Sequence, residues 1–166
     1  MGTDPTKRDT DQDGASDGQE VQAGTDPLSA ASKPSNYVAV WGSNDQGQCK
    51  VPVNLGTVIA VAAGSDHSLA LREDGTVAAW GYNNYGQCDV PATLDNVVSV
   101  AAGDYHSVAL RADGTVVCWG YSSYGLNTTP AGLANVVEIA AYGYNTVALK
   151  ANGEGYIGLD ERSATD

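Results

Sequence analysis

The chain has 166 residues, 42% hydrophobic and 17% charged, which suits one modest globular unit with room for an appended segment. Twenty acids against eight bases give a formal charge of -12, a surface that repels phosphate backbones and anionic lipid and so argues against nucleic-acid binding and membrane insertion. No apolar run is long enough for a membrane-spanning helix.

In chain order, residues 1–28 are predicted as a calcium-binding segment, 29–36 as a linker, 37–158 as repeated β-structure and 159–166 as a tail. No secretory signal stands at the start, which reads as cut from a longer precursor. Residues 9–20 match the loop D-x-D-x-D-G-x-x-D-x-x-E at every liganding place. A hard cation takes six to eight oxygens, and this spacing wraps round one point the carboxylates of Asp9, Asp11 and Asp13, the carbonyl of Ala15, Asp17 directly or through water, and bidentate Glu20. Gly14 permits the sharp turn, and Asp17 can also cap a short helix that Gly24 ends. Ca²⁺ fits better than Mg²⁺, which demands tighter octahedral geometry; a solvated acidic linker is the bland alternative. The run from Asp9 to Pro27 resembles a bacterial thrombospondin type 3 repeat, with Gly2 to Pro5 as the remnant of a preceding copy. That resemblance implies a structural Ca²⁺ site in a secreted or cell-surface bacterial protein.

From Tyr37 the pattern changes to short Val/Ala-rich runs punctuated by glycine, proline and Asp-Gly turns, an all-β signature. Trp41, Trp80 and Trp119 are spaced 39 apart, as are Pro52, Pro91 and Pro130. A strict period of that length marks stacked units, each too small to bury its apolar face alone. One unit holds four strand-like pieces: 57–63, 67–72, 76–81 and 86–91, with hairpin turns at 73–75 and 112–114. Four antiparallel strands per repeat make a propeller blade, and the Ala-Ala-Gly closing each first strand suits a crowded centre. The array starts at a third strand and fades after Lys150, giving about three four-stranded blades, too few for a closed ring. The expectation is therefore an incomplete β-propeller, or one completed when copies join head to tail into a ring or filament.

The pattern AAGxxHSxALRxDGTVxxWG, standing at 62–81 and 101–120 and followed by Gly86-Gln87 and Val90-Pro91, resembles the regulator of chromosome condensation repeat in its compact bacterial form. It is also similar to the repeats of the type II β-lactamase inhibitor protein. The resemblance implies a propeller, usually of seven blades, that presents loops to protein partners. This chain has about half that number, and its acidity gives no support for chromatin binding or nucleotide exchange.

Strands alternate in direction, so loops after the first and third pieces emerge on one face and the others on the opposite face. The opposite face is nearly constant between copies; the first varies, carrying Asn44 and Asp45, Asp66, Tyr82 to Tyr85 through Asn83 and Asn84, Asp104 and Tyr105, Tyr121, Tyr124 and Tyr144. Tyrosine among small polar residues on rigidly held loops is the composition of a recognition surface for a protein or glycan. Tyr82 and Tyr121, each following Trp-Gly, could instead cover the neighbouring blade. A second expectation is an assembly unit that uses open blade edges.

No enzyme is expected. His67 and His106 recur at the blade period, as scaffold side chains do and catalytic ones have no reason to. Ser68 and Ser107 lie inside strands rather than on a nucleophile elbow, and the tryptophans read as packing anchors. Cys49, Cys88 and Cys118, without CxxC spacing, read as small buried or half-buried thiols. Asn127-Thr128-Thr129 is a glycosylation sequon by pattern only.

Overall fold

The structure, a computed structural model, describes residues 6, 10, 17, 20, 21, 27–29, 38–53, 55–125, 127–151 and 155–157. The predicted tail at 159–166 and most of the predicted linker lie outside the described residues. Three antiparallel sheets follow one another: β1 Val58–Ala63, β2 His67–Arg72 and β3 Val77–Gly81; β4 Val97–Ala102, β5 His106–Arg111 and β6 Val116–Gly120; β7 Val136–Tyr142, β8 Asn145–Lys150 and β9 Gly155–Ile157. In each sheet the order in space is the order in sequence. The first strands β1, β4 and β7 neighbour one another, and each middle strand packs on the first strand of the next sheet. The sheets therefore fan out from a shared inner edge as propeller blades, and among the described residues the fan does not close into a ring.

Side-chain alternation explains the stacking. Along β2, Leu69 and Leu71 point into a core shared with the next blade, which adds Val97, Val100, Ala102, Ala109 and Trp119; Ala70 points the other way, against Leu55 and Trp80. Along β5, Val108 and Leu110 meet Val136, Ile139 and Ala148 of the third blade. With a period of two, each middle strand presents large residues forward and alanine backward, so every core lies between blades. The hairpin turns form as expected. Gly75 at φ +78° and Gly114 at φ +81° close them, and Asp74 and Asp113 accept from the backbone N–H and hydroxyl of Thr76 and Thr115.

A polar seam runs between blades. Gln87 offers its backbone carbonyl to Trp119 Nε1 at 2.9 Å and to Ser107 Oγ at 2.8 Å. Gln48 does the same for Trp80 at 2.8 Å and Ser68 at 3.1 Å. Because Ser107 spends its proton on Gln87, the 3.0 Å contact with His67 assigns the proton to His67 Nε2. His106 makes the corresponding contact with Thr146 at 2.9 Å. The histidines and serines are thus inter-blade clamps.

Three features depart from the sequence expectation. Where a fourth strand was expected, residues 82–91 run as consecutive turns, with Gly86 N–H donating to Asn83 O and Asp89 N–H to Gly86 O. Gly86 at φ +77° and Pro91, which lacks a donor, suit turns better than a ladder. A third strand, β9, does form beyond Lys150. Trp41 is 86% exposed, against 8% for Trp80 and 6% for Trp119. It is not a packing anchor here, because no described strands of its own blade pair with residues 38–42.

Candidate binding face

Trp80-Gly81 and Trp119-Gly120 each carry the third strand across the turn between the first two. Gly81 at φ +106° lies where a Cβ would come within 2.5 Å of Asp66 O, and Gly120 at φ +109° within 2.6 Å of Tyr105 O. Past these crossings Tyr82 N–H donates to Asp66 O at 2.8 Å and Tyr121 N–H to Tyr105 O at 2.9 Å. The loops after the first and third strands are thereby tied together on one face. Their rings meet there: Tyr82 and Tyr85 with centroids 5.8 Å apart, Tyr85 and Tyr105 5.2 Å, Tyr85 and Tyr121 4.7 Å, Tyr105 and Tyr144 5.8 Å. With Tyr105 against Tyr82 at 6.5 Å and against Tyr121 at 6.3 Å, four of these six contacts are edge-on, the arrangement that ring quadrupoles favour. The Tyr82 phenol beside it, then partial burial and Tyr121, hold the Tyr85 phenol above its ordinary range. Tyr85 and Tyr144 are 43% and 40% exposed.

Acidic groups border the rings. Ser65 Oγ donates to Asp104 Oδ1 at 2.6 Å, and Gln48 Nε2 to Asp66 Oδ1 at 3.2 Å. Asp45 and Asn84 are exposed loop residues. Asn44 and Asn83 serve their own turns: their carbonyl oxygens accept from Cys49 N–H at 2.9 Å and Cys88 N–H at 2.8 Å. Tyr124 lies in a 3-10 helix, Ser123–Gly125. Sequence reasoning missed Gln87. Fully buried, it accepts from Tyr85 N–H at 3.1 Å through Oε1 and so sets the loop that bears the ring. Its signal was the Gly-Gln-Cys triplet repeated at 47–49 and 86–88 in two successive copies.

The thiols are half-buried and free. Burial, then the Asp89 charge, pushes Cys88 up to about 11, and burial pushes Cys118 up to about 12, so neither is a nucleophile near neutral pH. Of the expected calcium ligands, Asp9, Asp11, Asp13 and Ala15 lie outside the described residues. Asp17 and Glu20 stand at helical positions; Asp17 accepts from Thr10 N–H at 2.7 Å and Thr10 Oγ1 at 2.6 Å, and Glu20 is fully buried. Among the described residues no group of carboxylates, thiols or imidazoles gathers as a metal centre.

Residues 58–87 and 97–126 each match the Regulator of chromosome condensation (RCC1) repeat. The first two blades thus carry RCC1 repeats, and the third lies outside the match. Residues 9–30 match the bacterial TSP3 repeat. Among solved structures, the RCC1-repeat blades resemble Prp20p from Saccharomyces cerevisiae with a TM-score of 0.61 and 25% identity, over 70% of this chain and 40% of that one. Human WBSCR16 gives a TM-score of 0.59 at 26% identity, covering 70% and 40%. The ectodomain of the Physcomitrella patens receptor kinase CR4 gives 0.59 at 29% identity, covering 70% and 34%. The chain thus spans 40% or less of the length of these RCC1-like propellers. No curated protein matches its sequence.

Proposed function

We propose that this chain is a non-enzymatic, extracellular or cell-surface binding module. Its RCC1-repeat blades, residues 37–158, present the tyrosine face to a protein or glycan, and residues 1–28 hold a structural Ca²⁺. The observation that carries this is the gathering of Tyr82, Tyr85, Tyr105, Tyr121 and Tyr144 into one contiguous, partly exposed patch. Tyr82 and Tyr121, and Tyr105 and Tyr144, recur 39 apart but replace Ser43 and Asp66 of the first copy, on loops fixed by what all the repeats share. Its yeast neighbour supports a protein partner: Prp20p has binding properties to Gsp1p and histones, and the same yeast RCC1 was solved bound to Kap60. The bacterial TSP3 match supports calcium and an extracellular setting.

Two experiments test these parts. On an array of peptides and neutral glycans, the parent is expected to give at least one signal that Tyr85→Ala lowers about tenfold; signals indifferent to Tyr85 would remove the reading. In titration calorimetry with CaCl₂, the parent is expected to bind one Ca²⁺ and Asp9→Ala combined with Asp13→Ala to lose it. Equal heats for the two would sink the calcium site.

A second reading, a unit that assembles head to tail, is favoured by exposed inter-blade surface. Val61 is 59% exposed where Val100 and Ile139 are buried, and Val147 and Leu149 are 43% and 39% exposed where Leu69, Leu71 and Val108 show none. Residues 38–41 and the first blade also border an open apolar pocket of about 230 Å³. Tyr142 opposes this reading. It stands where Gly103 has no room for a Cβ, which would lie 2.7 Å from the carbonyl of Gly143 in the following blade. A further blade in the same register would meet the tyrosine, so the binding reading is preferred.

A further inference from the structure

Gln48 and Gln87 hold equivalent places, but only one of them is satisfied. Gln48 Nε2 donates to Asp66 Oδ1, whereas Gln87 Nε2, fully buried, has no hydrogen-bond partner among the described residues. The residue equivalent to Asp66 in the next blade is Tyr105. A tyrosine there gives up a scaffold hydrogen bond, and an unmet buried donor costs about 1 to 3 kcal/mol. Natural folds break a local rule of this kind mainly at functional places. What the exchange places on the surface is an aromatic ring in contact with Tyr82, Tyr85, Tyr121 and Tyr144.

Charge is distributed unevenly around that ring cluster. Asp66 and Asp104 lie in the turns that carry it, and Asp89 closes the Tyr82–Tyr85 loop through Asn83 Nδ2 at 2.8 Å. Three of the described cations, Arg72, Arg111 and Lys150, stand at the far ends of the middle strands, toward the opposite face. Arg72 bonds Leu55 O at 2.7 Å there, and Arg111 bonds Thr93 O at 2.7 Å and approaches Asp95 at 3.5 Å. A phenol cluster with negative π faces, edged by carboxylates on a chain of charge -12, is complementary to a cation. The rings touch one another, so the cation must sit over the exposed rings of Tyr85 and Tyr144 rather than between walls.

We propose that the tyrosine face binds a cationic peptide segment through arginine, whose planar guanidinium stacks on the exposed phenols while its N–H groups reach Asp66 and Asp104. Arginine suits the place better than lysine because it stacks and donates in a plane at once. An anionic ligand is repelled, and a neutral sugar gains nothing from the carboxylates. This inference rests on the binding reading above and narrows it to a ligand class.

The test uses three labelled probes at about 150 mM salt, the physiological value: an alternating glycine-arginine peptide, the same peptide with citrulline for arginine, and chitohexaose. The arginine peptide is expected to bind about tenfold tighter than its citrulline counterpart, to weaken about tenfold with Tyr85→Ala, and to weaken several-fold with Asp104→Asn, which keeps an acceptor for Ser65. Tyr85→Phe, which keeps the ring, should retain most of the affinity and guards against loss through misfolding. Equal binding of the citrulline peptide, or arginine-peptide binding indifferent to both Tyr85→Ala and Asp104→Asn, overturns the proposal. Chitohexaose binding that Tyr85→Ala abolishes overturns it too, yet leaves the binding face intact; if no probe responds to Tyr85→Ala, the proposal falls together with that face for these ligands.

Discussion

Gly103→Ala is expected to destabilise the protein by about 3 kcal/mol or more, the upper range for a forced core clash. The added methyl would lie 2.5 Å from His106 Nδ1 and 2.7 Å from the Gly143 carbonyl, a backbone atom of the next blade that cannot step aside alone. No left-handed conformation is involved at Gly103, so the whole effect is steric. Gly132→Ala is the control: its φ is +77° but nothing lies within 4 Å, and a loss of about 1 kcal/mol is expected from backbone strain. Asn145 and Tyr142 show how the third blade resolves the same conflict. The imidazole is replaced by a smaller side chain, and the position opposite then accepts a Cβ. Gly103→Ala with His106→Asn should therefore recover part of the loss, while the carbonyl contact keeps the rest. Chemical denaturation of the three variants checks this; equal midpoints for Gly103→Ala and the parent would show that the blades are not in van der Waals register.

Acid is expected to loosen the blades well above the range in which carboxylates titrate. Burial, then the charge on His106, lowers His67 from 6.5 to about 4. His106 is lowered as well, by burial, with Asp104 opposing. The unfolded chain takes up a proton at His67 near pH 6.5, whereas the folded chain does so only near 4, so between those values the unfolded state binds more protons. Stability is flat above pH 6.5, falls as the pH drops, and levels near the folded value, a loss of about 3 kcal/mol from His67 alone. Asp74 and Asp113, held low by Thr76 and Thr115, add losses only below the ordinary carboxylate value of 3.8. Urea midpoints at pH 7 and pH 4.5 measure the effect. His67→Gln should lower the midpoint at pH 7 and flatten the slope between the two, and a parent midpoint unchanged across this window would contradict the clamp.

The sequence made the blades legible because their period is covalent arithmetic. The bounds of β2 and the turn at 73–75 are readable from His67-Ser68-Leu69-Ala70-Leu71-Arg72 and the Asp-Gly that follows. The fourth piece departs from the strand expectation because Gly86 to Pro91 alternates weakly and its polar groups are satisfied locally by Asn83, a side-chain bond that no periodicity reveals. Trp41 repeats at the period yet lacks the strands that would cover it, a tertiary fact. The variable face followed from strand alternation, but that Asn44 and Asn83 serve their turns, and that Gln87 sets Tyr85, depends on three-dimensional reach. The calcium loop was legible as spacing, of which Asp17 and Glu20 alone are described.

Tryptophan, glycine and histidine at the 39-residue period hold the fold, while the tyrosines, which share that period in two copies (Tyr82 with Tyr121, Tyr105 with Tyr144) but give way to Ser43 and Asp66 in the first, do not. The thermal midpoint of Tyr85→Ala combined with Tyr144→Ala tests it most directly. Both residues are 40% or more exposed and touch their neighbours through edge-on or tilted rings, so a decrease of only a few degrees is expected, the size of about 1 kcal/mol. A fall as large as that of Gly103→Ala would mean that the rings are what joins the blades, and the face would then be scaffold rather than a place of recognition.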